Sequence, residues 1–239
     1  MARTFESCAS CAIHAQAICA LCDADEMHVL DEMKYFRSYP PGQTIVFAGD
    51  RLDFMASVVS GLATLSQDLH DGRRQTVGLL QPSDFIGRPG RPIARYDITA
   101  ASEVLLCCFA RRPFEKLIAS TAHIGSRLLE MTLDELDAAR DWMLVLGRKS
   151  AREKIASLLL ILATRAAQNA GPPFSADVQI DLPLTREAMA DHLGLTLETV
   201  SRQFSALRHD GVITLAGARH VTIADMARLR REAGDGLHI

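Results

Sequence analysis

At 239 residues, 48% hydrophobic and 23% charged, the chain is long enough for a packed core and nearer two domains than one, and its composition is that of a globular protein. Its start, "MARTFESCAS", lacks the apolar core of a secretory leader and no apolar run approaches a membrane span, so a cytoplasmic protein without membrane association is expected. The net charge of −3 excludes an indiscriminately basic binder yet conceals a gradient: residues 1–147 carry −5 and residues 148–239 carry +2, so contact with phosphate falls to the C-terminal part.

Residues 1–22 form an N-terminal cysteine segment holding four of the six cysteines, Cys8, Cys11, Cys19 and Cys22. In a reducing compartment such clustering points to metal ligands or redox groups rather than structural disulfides. Two CxxC units suit a tetrahedral zinc site, although the seven residues between them are fewer than zinc ribbons use. The thiols alone leave zinc and iron–sulfur equally open. Cys22 directly precedes "DADEMHVLDEM", an amphipathic helix that Asp23 or Asp25 can cap, where a helix N-terminus can lower a thiol pKa and make it reactive.

Residues 23–121 read as a β-roll domain. Turn signals "PPGQ", "AGD", "SG", "HDGR" and "PSD" separate short β-rich stretches such as "TIVF", "MASVVS" and "RQTVGLL", spaced as in a small antiparallel roll. In "EVLLCCFARRPF" a strand enters a helix, and adjacent strand residues face opposite sides. Only one of Cys107 and Cys108 can therefore point at the N-terminal segment, the other being a small core residue.

Over residues 122–147 the period turns helical, with Ile124, Leu128, Met131, Leu136, Trp142, Met143 and Leu146 recurring at threes and fours. A helix this long and this apolar meets a second copy of itself, the other reading being that it packs only on its own β domain. Its acids, Glu130, Asp134, Glu135, Asp137 and Asp141, would oppose such pairing by like-charge repulsion.

Residues 148–239 open with a second amphipathic helix, pass a loop at "NAGPPFSADV" and a short strand in "QIDLP", and continue as a winged helix-turn-helix. Thr185 caps a first helix to Leu193, Gly194 turns, Thr196 caps a second helix from Leu197 to about His209, and "VITLAGARHVTI" forms a hairpin wing turning on "AGA". On the second helix Val200, Phe204 and Leu207 make the apolar stripe, while Glu198, Ser201 and Arg202 share another face near the end that enters a major groove. Arg reads guanine, Glu accepts from cytosine N4 and Ser serves either edge, with Arg186 and Arg208 as phosphate contacts. The plainer alternative, an i,i+4 ion pair of Glu198 with Arg202, carries less weight inside a capped helix-turn-helix with a wing.

A β roll, a long helix and a winged helix-turn-helix in this order resemble the CRP/FNR family of bacterial transcription regulators, and the resemblance covers nearly the whole chain. "ETVSR" is similar to the recognition helix of the FNR branch, and "GLLQPSDFIGRPGR", "MTLDELDAARDWMLVLGRKSAREKIASLL" and "LPLTREAMADHLGLTLETVSRQ" resemble its FnrL-type members. The resemblance implies an oxygen-responsive regulator, chiefly an activator of anaerobic genes. It would act as a homodimer through residues 122–147 on a TTGAT-N4-ATCAA palindrome, with RNA polymerase as partner. It further implies a [4Fe–4S] cluster on three N-terminal cysteines and one in the roll, carried here onto Cys8, Cys11, Cys19 and Cys107, with Cys22 and Cys108 as alternative ligands. An intact cluster would favour the DNA-binding dimer and oxygen would weaken it.

Cyclic-nucleotide binders of the family place a Glu after the "DFIG"-like turn and an Arg-Ser pair later. Here Arg88 stands for the Glu and Tyr96 follows Arg95 in place of Ser, so cAMP sensing is not expected. The alternative is a regulator of the same fold that lacks iron and answers another signal, or one stabilised by zinc. An enzyme is not expected: beyond His14 among the thiols, the chain offers no phosphate loop, catalytic triad or carboxylate pair.

Overall fold

The computed structural model describes residues 7–170, 178–217 and 219–234; most of the loop expected at 169–178 and Ala218 of the wing turn lie outside them. The chain divides into two compact units, Met1–Leu136 and Asp137–Ile239, and the division falls within one long helix.

In the first unit a 3-10 turn, Cys8–Ser10, precedes helix α1, Ala24–Met33. Asp23 caps α1: its side chain accepts from the Glu26 backbone N–H while the Glu26 carboxylate accepts from the Asp23 N–H, satisfying two orphan donors at once. Eight strands follow: β1 Lys34–Tyr39, β2 Thr44–Val46, β3 Phe54–Ser60, β4 Ala63–Asp68, β5 Arg74–Leu80, β6 Phe85–Ile86, β7 Asp97–Ala100 and β8 Val104–Ala110. They form two antiparallel four-stranded sheets, ordered β1-β8-β3-β6 and β2-β7-β4-β5. Gly61 makes the β3–β4 turn at φ +86°, and a Cβ there would lie 2.1 Å from the Glu103 carbonyl oxygen, so only glycine fits.

Two cores result. The roll interior holds Phe54, Ala56, Val58, Ile98, Leu106 and Cys108. The outer face of the β1-β8-β3-β6 sheet carries a second core, in which Met55, Cys107 and Phe109 meet Ile13 and Ile18 of the N-terminal segment, Leu30 of α1 and Phe114 of α2, Arg111–Ser120. Phe109 stacks on Phe114 at 4.5 Å between ring centroids. Helix α3, Ala122–Arg148, adds Ile124, Leu128 and Met131 to this outer core.

In the second unit α4, Ala151–Ala170, buries Ile155, Leu158 and Leu159. It is followed by β9 Val178–Asp181, α5 Arg186–Leu193, α6 Leu197–His209, the hairpin β10 Thr214–Ala216 and β11 His220–Ile223, and α7 Met226–Ala233. β11 also pairs with β9, closing a three-stranded antiparallel wing. The Thr185 and Thr196 side chains accept from the Ala188 and Thr199 backbone N–H groups, and Gly194 turns at φ +60°, as local sequence chemistry predicts. The C-terminal part of α3 belongs to this unit, where Trp142 packs edge-on against buried His192 of α5, 4.3 Å between centroids. Among the described residues no helix is long and apolar enough to cross a membrane.

Candidate metal centre and nucleic-acid interface

All six cysteines are free thiols. Strand alternation sends the neighbours Cys107 and Cys108 to different cores: Cys107 faces outward beneath the N-terminal segment and Cys108 faces the roll interior, fully buried. Cys8 is buried in the outer core, and Cys11, Cys19 and Cys22 pack against it. Burial pushes the Cys107 thiol above the ordinary range, and Cys8, Cys11, Cys108 and Cys19, as neighbouring sulfurs, push it further. Cys22 immediately precedes the Asp23 cap of α1. Burial first, then Glu26, Cys19 and Asp23, raise its pKa to about 12, which corrects the expectation of a reactive thiol at the start of α1: the nearby carboxylates and burial outweigh the helix terminus.

A polar frame holds this sulfur group. Lys34, at the α1–β1 junction, points its ammonium at Cys8 Sγ, 3.7 Å away, and pairs with Asp31, whose carboxylate accepts from the Cys8 backbone N–H at 2.7 Å. Burial pushes the Cys8 thiol up to about 12, Asp31 adds to this and Lys34 opposes it. Burial alone would lower the Lys34 ammonium pKa, but Asp31, Cys8 and Cys107 raise it, keeping a cation beside two of the thiols. His14 Nδ1 lies 3.7 Å from Cys19 Sγ. Arg127 of α3 donates to the Gln16 and Ala17 carbonyls, at 2.6 and 3.3 Å, and so binds the loop between Cys11 and Cys19 to the long helix. Lys34, Asp31 and Arg127 carry no local motif; they are found only once the fold sets them against the thiols.

This donor set fits an iron–sulfur cluster. Every candidate ligand is a thiol, the chemistry such clusters require, and the adjacent ammonium offsets thiolate charge.

Elsewhere in the roll, Arg88, Arg91, Arg95 and Arg111 stand in the wall of a cavity of about 210 Å³ with Tyr96 and Ile98. Its lining includes no carboxylate to receive ribose hydroxyls, and Arg111 is committed to the Leu52 and Arg88 carbonyls and to Glu115.

On α6, Val200, Phe204 and Leu207 are buried, whereas Glu198, Ser201, Arg202 and Arg208 are exposed. The Arg202 guanidinium donates to Thr199 Oγ1 at 3.4 Å rather than to Glu198. Arg186 stands half-buried at the start of α5. Its guanidinium lies 3.3 Å from the Phe204 ring centroid and donates to Met189 Sδ, and burial lowers its pKa; it is a packing element between α5 and α6. Only the meeting of two helices reveals that contact, since Arg186 and Phe204 are far apart in sequence.

A roll of two antiparallel sheets, a long helix and a winged helix-turn-helix with an exposed polar face on its second helix define a DNA-binding regulator. A cyclic nucleotide-binding domain model matches residues 36–121 and a Crp-like helix-turn-helix domain model matches residues 153–232. The chain belongs to the CRP/FNR family of transcription regulators, a family of regulators rather than enzymes. It is 61% identical to the transcriptional activator protein FnrL of Cereibacter sphaeroides, over 95% of this chain and 92% of that one. It is 34% identical to the nitrogen fixation regulation protein FixK of Bradyrhizobium diazoefficiens, over 93% and 92%. Among solved structures, FixK2 from Bradyrhizobium japonicum superposes with a TM-score of 0.75 at 30% identity, covering 85% of this chain and 99% of that one.

Proposed function

We propose that the chain is a cytoplasmic, oxygen-responsive transcription activator that binds a [4Fe–4S] cluster through Cys8, Cys11, Cys19 and Cys107 and, as a homodimer, reads a TTGAT-N4-ATCAA palindrome. The observation that carries this reading is the outward turn of Cys107 beneath the segment bearing the other three thiols, while Cys108 is sealed in the roll. Bound there, the cluster supplies a reaction with dioxygen that no side chain offers. The residues do the rest. Cys8 and Cys107, neutral as thiols because burial holds their pKa values high, release protons as they become ligands, and Lys34 steadies the resulting charge. Arg127 carries the position of the 12–18 loop into α3, two residues before an exposed apolar seam begins at Leu129.

Leu129, Leu133, Leu136 and Met143 recur at intervals of four, three and seven, the spacing of a coiled-coil seam, and each is 45–73% exposed. A second copy is the partner that such a seam fits, and dimer symmetry matches a palindrome. Glu198, Ser201 and Arg202 then face the base edges and Arg208 the backbone, and RNA polymerase is the partner of the assembled activator. The test is iron and sulfide analysis of anaerobically reconstituted protein alongside its binding to the palindrome. Stoichiometric iron and sulfide with binding lost in air is expected, and equal binding by reconstituted and air-exposed protein overturns the reading. Arg202→Ala should weaken binding by about 1–3 kcal/mol and relax selectivity at one base pair.

A further inference from the structure

The outer face of β3 carries a buried hydroxyl without a hydrogen-bond partner. Phe54, Ala56 and Val58 point into the roll and Met55 into the outer core, so Ser57 lies on the outer face. The register sets Ser57 directly opposite Cys107, and Met55 opposite Phe109. Ser57 is 2% exposed, yet its Oγ has no hydrogen-bond partner. An orphaned buried hydroxyl is rare in a well-satisfied sheet and calls for an acceptor that the thiol form lacks. A neutral thiol accepts weakly, whereas a thiolate accepts well. Residues directly opposite on antiparallel strands hold their Cβ atoms about 4.5–5.5 Å apart, so rotation about one bond carries the hydroxyl to the neighbouring sulfur.

We infer that Ser57 is a positioning residue whose hydroxyl donates to Cys107 Sγ once that sulfur is a metal-bound thiolate, and that it thereby slows the loss of the cluster to dioxygen. The inference rests on the iron–sulfur reading above. Lys34 serves the Cys8 sulfur and Ser57 the Cys107 sulfur, so each buried ligand has its own donor. A donor on a ligating sulfur draws electron density from it and disfavours oxidation.

The test compares wild type with Ser57→Ala, both full-length and reconstituted anaerobically with ferrous iron and sulfide. Three quantities are measured: metal and sulfide per chain, the rate at which visible cluster absorption bleaches in air-saturated buffer, and the melting temperature of the iron-free proteins. Iron-free Ser57→Ala should melt at or above the wild-type temperature, because an unsatisfied buried hydroxyl has been removed. Loaded Ser57→Ala should bleach roughly three- to tenfold faster, or fail to retain its cluster. Equal bleaching overturns the inference, and so does a lower melting temperature of the iron-free variant, which would show that the hydroxyl serves the apo fold. Wild type that takes up neither iron nor sulfide overturns the iron–sulfur reading itself, a result distinct from equal bleaching of two loaded proteins.

Discussion

Cys107 and Cys108 are chemically identical neighbours that the pleat of β8 assigns to different environments. Cys107→Ala should abolish iron retention and, because the sulfur is also part of the outer core, cost the iron-free fold about 1 kcal/mol. Cys108→Ala should retain iron but lower stability by about 1–2 kcal/mol, the cost of a small cavity among Phe54, Ala56 and Leu106. Iron content and thermal melts of the two variants check the contrast; a reversed pattern would reassign the roll's ligand. Strand alternation made this division legible in the sequence, but the face that meets the N-terminal segment came from family resemblance. Lys34, Asp31 and Ser57 were not legible. Their significance depends on which residues lie opposite them across long stretches of chain, and nothing in their immediate neighbours records it.

Helix ends were the most readable elements. Thr185, Gly194 and Thr196 act through bonds spanning three or four residues, so the capping pattern and the geometry coincide. Longer connections were hidden. Arg152 of α4 joins Glu232 of α7 at 2.6 Å and Asp210, just beyond α6, at 2.8 Å, fastening three elements of the second unit together. The Arg152 hydrogen bond holds the Glu232 carboxyl below the usual glutamate range. A carboxyl depressed in the folded state contributes stability above its unfolded pKa of about 4.3, and that stability is lost as pH falls through the lower folded value. Arg152→Met should therefore cost about 1–2 kcal/mol at neutral pH, allowing for solvent screening, with a smaller penalty in acid. Melting curves from pH 7 to pH 3 measure it, and a penalty independent of pH would contradict the assignment.

For the molecule as a whole, α3 is the element to which the thiol-bearing loop, the apolar seam and the helix-turn-helix unit all connect. One side of its N-terminal half is taken up by Ile124, Leu128 and Met131 in the outer core, and the seam lies on another side. The helical period announced the helix but blended these two sides, because apolar residues on both recur at threes and fours. Leu133 is 52% exposed, so Leu133→Glu should leave the chain folded and convert the proposed dimer to monomers in sedimentation velocity, with palindrome binding lost in parallel. A dimer that survives this substitution would place the contact elsewhere.

The contact between Trp142 and His192 has an optical consequence. Trp142 is the chain's single tryptophan, so all indole emission originates where the end of α3 meets the first helix of the DNA-reading motif. The protein thus carries a built-in, label-free lamp at that junction, one whose indole light brightens or dims with movement there and has no second source elsewhere in the chain.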